Sequence, residues 1–285
     1  MTTPHYPEAV IEEQFVLSKT GRPEDCEDAL YKSRHFIAVI DGATSHTTRR
    51  WNNKTGGQRA KEIIGQVFEQ MPPEHTARQA ADLITHTIND FYAGFNLVET
   101  VKEDPSQRIS ASFATISLFR QEVWLIGDCQ SLLGTHLVSN KRRVDQILSE
   151  ARALFLEAEL LKGTTIEELQ QNDKGRAFIS PLLRSNILFQ NNPAAGEYWY
   201  SAVDGFSIPD SGIITRIIPD DVAAVVLASD GYPILKDTLK ESEHILQDIL
   251  LKDPLLFREY KSTKGKVKGQ VSFDDRAFIR IKRKR

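Results

Sequence analysis

Two apolar runs far apart in the 285-residue chain, FIAVIDGAT at 36–44 and VVLASDGYP at 225–233, stop at the same dipeptide, an aspartate followed by a glycine. Short runs rich in Val, Ile and Phe, bounded by polar or turn residues, read as strands. That pattern predicts strands over 14–18, 35–40, 112–120, 122–126, 131–138, 197–203, 212–217, 222–228 and 276–281. The segments 112–120, 122–126 and 131–138 are joined only by RQE and GDCQ, which predicts an antiparallel meander.

Helical periodicity fills the gaps between strands. In GGQRAKEIIGQVFEQM the positions Ala60, Ile63, Ile64, Val67, Phe68 and Met71 form one apolar stripe, and Ala80, Ile84, Ile88, Phe91 and Phe95 repeat it over 77–98. Two helices packed side by side on a sheet follow from this. A third helical region spans 144–171, interrupted near KGTT, where Thr164 or Thr165 can cap a new helix with Glu167 or Glu168 behind it. Segments 176–188 and 234–251 also read as helical. Strands, then helices, then strands again argue for antiparallel sheets covered by helices, not a parallel alternating fold. No fixed-period repeat and no Pro/Gly/Ser linker interrupts the chain, so a single domain over 1–285 is expected.

Composition excludes more than it assigns. With 40% hydrophobic and 26% charged residues and a net charge of −3, the chain is an ordinary globular one and its charge singles out no partner. Cys26 and Cys129 form neither a CxxC pair nor a disulfide framework, so a reducing, cytoplasmic setting is expected. No apolar run approaches the ~20 residues that span a bilayer, and the start MTTPHYPEAVIEEQF lacks a basic segment followed by an apolar one; no membrane partner is expected. The basic stretches KSTKGKVKGQ and RIKRKR lack interleaved aromatics and read as a solvated loop and tail, so nucleic acid is not an expected partner.

Any single Asp-Gly reads as a turn, and Asp204-Gly205 in YSAVDGFSIP is expected to be only that. The other two keep different company. Glu27-Asp28 in CEDAL, Asp128 in LIGDCQS and Asp274-Asp275 in SFDDRAFIRI also sit at element ends. If those ends converge, several carboxylates share one cleft, and like charges so gathered raise one another's pKa or require a cation. Aspartate-rich sites without histidine or thiolate clusters suit Mg2+ or Mn2+. The seven histidines show no zinc-protease pair. Glycine after aspartate would let the backbone approach a ligand or metal and offer its carbonyl.

The ordered set RPEDCEDAL, FIAVIDGAT, SASFATISLFRQEVWLIGDCQS, VVLASDGYPIL and SFDDRAFIRI resembles the metal-dependent serine/threonine protein phosphatases of the type 2C family, over residues 22–281. The resemblance implies an α+β fold, a four-layer αββα sandwich of two antiparallel sheets flanked by helices, with two Mg2+ or Mn2+ ions at one edge. It implies Asp41 as the carboxylate bridging both ions, the Gly42 carbonyl and Glu27 on one ion, and Asp230 and Asp274 on the other. Asp28 resembles the acid that contacts metal-bound water, and Asp128 with Asp230 the pair that holds a third ion in some members. The implied chemistry is direct hydrolysis of a phosphate monoester by water activated between the metals, with a phosphorylated protein as substrate and a separately encoded serine/threonine kinase as the opposing partner. The resemblance leaves open a phosphatase-like fold that binds without turnover, and a phosphatase of a small phosphorylated molecule.

The chain departs from the family pattern in three places. Where some members carry a histidine after the Asp-Gly, this chain has Ala43; His46 reads as a surface loop residue, so no general acid is assigned. Arg22 matches the arginine that grips substrate phosphate, with Arg34 as the alternative, but one extra residue separates Arg22 from the acidic pair. The passage ATSHTTRRWNNKT, 43–55, is longer than usual and is expected to hold Arg49, Arg50, Trp51 and Lys54 at the cleft mouth. The segment 133–192 falls where the family varies and reads equally as scaffold or flap.

Overall fold

Ten strands build two five-stranded sheets in the computed structural model, which describes residues 9–44 and 47–283. The first sheet has the order β2 (Asp28–Lys32), β3 (Phe36–Gly42), β4 (Ala111–Ser117), β5 (Glu122–Ile126) and β8 (Ile213–Ile217). The second runs β1 (Ala9–Leu17), β10 (Arg276–Arg283), β9 (Ala224–Ala228), β6 (Gln130–Leu133) and β7 (His136–Ser139). Every neighbouring pair is antiparallel.

The helices are α1 (Gly56–Gln70), α2 (Ala77–Gly94), α3 (Val98–Glu103), α4 (Arg143–Leu161), α5 (Ile166–Gln171), α6 (Lys174–Ser185) and α7 (Leu239–Lys252). Alternation along β3 explains the layering, because successive side chains leave opposite faces. Phe36, Ala38 and Ile40 pack with Ile64 and Phe68 of α1 and Ile84, Ile88 and Tyr92 of α2. Ile37 and Val39 face the other sheet, meeting Val225, Leu227, Ile279 and Ile281. On the far side, Val226, Ala228 and Phe278 pack against Leu246 and Leu250 of α7. The result is the expected four-layer α+β sandwich, and strands buried on both faces read as unbroken apolar runs.

Capping follows the sequence closely. Thr55 with Gln58, Thr76 with Gln79 and Thr165 with Glu168 each form a reciprocal capping box, starting α1, α2 and α5. The expected helix over 77–98 breaks instead at Asn96, which takes a positive φ of 56°, and resumes as α3.

Other expectations are corrected. There is no three-stranded meander: β4 and β5 pair, but at Gly127 (φ 82°) the chain leaves the first sheet and β6 joins the second, beside β9. Segment 131–138 is not one strand but the hairpin of β6 and β7, turning at Gly134 (φ 61°). Segment 197–203 forms no ladder; its first two residues end a 3-10 stretch, Pro193–Tyr198, and the rest is held by isolated bridges and the Asn191 side chain, which donates to the Ala202 carbonyl and accepts from its N–H. Strand β2 was not expected, since its burial is partial and its sequence, DALYK, carries little β signal.

The loop after β3 is also placed differently. Trp51 is only 3% exposed and lies against Phe91 and Phe95, ring centroids 5.1 and 5.4 Å away. The turn at Asn52 and Asn53, both at positive φ, delivers it there. Arg49 stacks on Trp51 and donates to Gln107 at 2.6 Å, while Lys54 pairs with Glu62. Trp51 and Lys54 thus clamp the loop to α2 and α1 and Arg49 to the 3-10 turn Pro105–Gln107, while Arg50 lines a pocket with Glu27, Lys19 and Thr44; His46 lies outside the described residues. Helices α4 and α6 pack on one another and on the loop after α7, forming a lobe beside the sandwich. Trp51→Ala should lower unfolding free energy by about 3–5 kcal/mol, as removal of a buried aromatic does, measured by urea denaturation, with the midpoint lowered and the slope unchanged.

Candidate active site

The strand ends do converge. Asp28 at the start of β2 pairs directly across from Asp41 at the end of β3, and Asp41 lies opposite Ser112 of β4. From the second sheet, Asp230 follows β9 and Asp274 precedes β10, which is β9's neighbour. Asp128 sits where the chain crosses between sheets. Together with Glu27 and Gly42 they line one cleft of about 680 Å3.

The glycines in the two Asp-Gly pairs make room for protein backbone. A Cβ on Gly42 would lie 2.4 Å from the carbonyl oxygen of Gly57 in the first turn of α1, and one on Gly231 would lie 2.1 Å from the carbonyl oxygen of Asp275. Each glycine lets a second element reach the acidic edge: α1 beside Asp41, and the lead into β10 beside Asp230. Neither residue is at positive φ.

The remaining acids are held in place. Glu27 accepts the hydroxyls of Thr44, at 2.6 Å, and Thr55. Asp275 accepts the backbone N–H of Glu27 at 2.6 Å and of Lys19 at 2.9 Å, tying the end of β1, the Glu27 loop and β10 together. Asp128 accepts the Ser112 hydroxyl at 2.6 Å and pairs with Arg142 at 2.9 Å. Arg142 lies over the Tyr200 ring, 4.6 Å to its centroid, and its buried Nε has no partner. Asp274 pairs with Lys264 and, at 3.6 Å, with Lys19. The KSTKGKVKGQ stretch is therefore not merely solvated, since Lys264 turns inward.

Arg22 and Arg34 lie elsewhere. Arg22 is exposed, donates from Nε to Asp25 at 2.8 Å, and does not line the cleft. Arg34 is in the β2–β3 turn, at the far end of both strands from Asp28 and Asp41. Cleft cations that sequence reasoning missed include Arg142, at the start of α4, Lys264 and Lys19. Asp204-Gly205 is the expected turn, with Gly205 at φ 87°; Asp204 is fully buried and satisfied by Arg108 at 3.0 Å, Gln190 at 2.8 Å and the Phe206 N–H at 3.0 Å.

Electrostatics separate the cleft acids into two groups. Burial, then repulsion from Asp274 and Asp275, pushes Asp28 up to about 7, although Ser229 opposes this by hydrogen bonding. Burial, then neighbouring carboxylates, raises Asp41 and Asp230 well above the ordinary range. For Asp274 burial works in the same sense but Lys264 and Lys19 win, and its pKa is lowered. Cys26 and Cys129 are buried thiols, pushed up by burial and by nearby acids, so neither offers a ready thiolate.

These residues can accommodate hard divalent cations. Asp28 has a buried carboxylate oxygen without a hydrogen-bond partner, and three crowded acids lack a basic partner of their own, the condition that an oxygen-ligated cation relieves. Among the described residues no three His, Cys, Asp or Glu side chains stand in ready metal-ligating geometry, and two of the acids are engaged by Lys264 and Arg142 instead. With metal removed, the folded state holds protons on Asp28, Asp41 and Asp230 that the unfolded chain has lost above ~3.9. Their stabilising contribution is present below that pH and is lost as pH rises through their raised values. In chelator, the melting temperature should therefore fall between pH 5 and 8, and Asp230→Asn should raise it at pH 8 and flatten the slope, as read by circular dichroism.

No family model and no curated protein matches the chain. Solved structures do. The serine/threonine phosphatase PstP/Ppp of Mycobacterium tuberculosis matches with 15% identity and a TM-score of 0.48 over 96% of this chain and 98% of that one. Stp1, a serine/threonine phosphatase of Staphylococcus aureus, matches with 14% identity and a TM-score of 0.45 over 99% and 97%. RsbX in complex with magnesium matches with 9% identity and a TM-score of 0.45 over 97% and 100%. Each of these likenesses runs along nearly the whole chain.

Proposed function

We propose that this chain is a Mg2+- or Mn2+-dependent phosphatase that hydrolyses phosphoserine and phosphothreonine in proteins. The observation that carries the reading is the delivery of Asp28, Asp41, Asp128, Asp230 and Asp274 from both sheets into one cleft, where crowding and desolvation raise the pKa of Asp28, Asp41 and Asp230. The phosphoprotein substrate is supported by the motif set.

In this reading Asp41, Glu27, the Gly42 carbonyl, Asp230 and Asp274 would hold two ions, and Asp128 with Asp230 would hold a third. Bound there, such ions lower the pKa of a water nucleophile and offset charge on the phosphoryl oxygens. The protein supplies orientation. Thr44 and Thr55 fix both Glu27 oxygens, Ser112 fixes Asp128, and Asp275 locks the two strand ends that carry Glu27 and Asp274. Asp28, with one oxygen free, is placed to accept a hydrogen bond from the attacking water. Arg142, which lines the cleft, is better placed than Arg22, which does not, to hold the substrate phosphate.

Hydrolysis of p-nitrophenyl phosphate and of a phosphothreonine peptide should require Mn2+ or Mg2+ and stop in chelator. Asp41→Asn and Asp230→Asn should each cost about 100-fold or more in kcat while the fold is retained. Preference for phosphorylated metabolites would move the substrate class, and no turnover of any of them would favour a binding protein. Arg142→Ala should raise KM for the phosphopeptide about tenfold, the order of one charge-assisted contact, and Arg22→Ala should leave it within twofold.

A further inference from the structure

Lys264 reaches the acidic cleft from outside both sheets. Its ammonium pairs closely with Asp274, in the cleft that Asp230 and Asp41 also line. The side chain is not a stray surface lysine that happens to fall inward, because the loop that carries it is built. Asp253 accepts the backbone N–H groups of Phe257, Arg258 and Glu259 at 2.8, 2.6 and 2.9 Å, closing the loop on itself. Leu255, Leu256 and Phe257 are buried.

Two arginines from the lobe then fasten this loop. Arg152 of α4, with no exposed surface, donates to the carbonyls of Leu255 at 2.8 Å and Ser262 at 3.1 Å, and is itself held by Asp173 at 2.6 Å. Arg176 of α6 donates to the Thr263 carbonyl at 2.9 Å, one residue before Lys264. Next to Lys264, Gly265 has no room for a side chain: a Cβ there would lie 2.8 Å from Arg152 Nη2 and 2.8 Å from the Leu255 carbonyl oxygen. Backbone on both sides of Lys264 is thus fixed by the lobe.

We propose that Lys264 is a tethered cation that takes the charge position of one metal ion at Asp274 and Asp230, so that metal loading of this cleft is a competition with the chain's own side chain. The inference rests on the bimetal reading above. An ammonium brings a single positive charge and no open coordination position, so it offsets repulsion without providing a Lewis acid. A divalent ion must displace it, and the apparent Kd is the intrinsic one divided by the fraction of molecules in which Lys264 has withdrawn. Because Arg152 and Arg176 set the loop's position, rearrangement of α4 or α6 changes that fraction. This assigns to the lobe a part in metal occupancy that neither a scaffold nor a substrate flap requires.

The test is Mn2+ calorimetry on full-length wild type, Lys264→Gln and Lys264→Arg. Lys264→Gln should bind the ion at this position about tenfold tighter or more, and Lys264→Arg should not. Equal affinity in wild type and Lys264→Gln, with binding observed in both, overturns the competition and leaves the bimetal reading standing. Absence of binding in all three at millimolar Mn2+ overturns both. A second measurement needs no variant: acetylation of wild-type lysines, read by peptide mass spectrometry with the exposed Lys252 as reference. Lys264 should label faster with saturating Mn2+ than in chelator, and unchanged or slower labelling with the metal bound overturns the proposal.

Discussion

Carboxylates taken out of water beside one another repel, and the acidic edge of this sandwich is organised around that repulsion. Three means of offsetting it occur side by side. Glu27 and Asp275 are satisfied by hydroxyls and backbone N–H groups. Asp128 and Asp274 face cations, Arg142 and Lys264. Asp28, Asp41 and Asp230 are offset too little by Ser229 and Lys264 and are driven toward protonation. Elsewhere the same chain shows what complete pairing looks like, since Asp204 is fully buried yet meets Arg108, Gln190 and a backbone N–H. Asp204 and Asp41 both precede glycine, but Asp204 is paired where Asp41 is crowded by other carboxylates.

Holding unmet charge requires a frame that does not yield. Asp41, Asp128, Asp230 and Asp274 adjoin strands fixed by ladder bonds on both sides, and Asp28 the edge strand β2, in sheets whose two faces are covered by apolar layers. Interiors packed at crystal-like density transmit strain poorly into disorder and hold side chains in place. The close contacts at Gly42 and Gly231 extend this frame to the cleft rim, where α1 and the lead into β10 press against the strand ends.

Much of this was legible in the sequence because burial on both faces writes itself as unbroken apolar runs. Strands β3, β4, β5, β9 and β10 were found for that reason, and α1 and α2 by their stripes. What failed was of two kinds. Strand β2 is half-exposed and short, and 197–203 has strand-like composition but spends its hydrogen bonds on side chains and isolated bridges. The meander failed because a connection as short as GDCQ fits a hairpin equally well, and only the left-handed backbone at Gly127 sends it to the other sheet. In the site, the acids were legible since they end strands, whereas Arg142 and Lys264 arrive from a helix start and a loop whose position depends on tertiary packing. Trp51 was misplaced on the same ground: a loop address says nothing about which way an indole points.

The topology also fixes when the cleft can come into being. Strands β2, β3, β4 and β5 follow one another and pair in sequence, so the half of the site carrying Asp28 and Asp41 depends on contacts of modest chain separation. Strand β1 has only one neighbour, β10, with Ala9 opposite Arg283, so the second sheet closes through the most distant pairing in the molecule. Pairings of that span are slow because loop-closure entropy is spent before any contact forms. Asp274, at the head of β10, can join the other acids only once that strand has been made, and a chain emerging from the ribosome keeps its edge strand β1 unpaired until then.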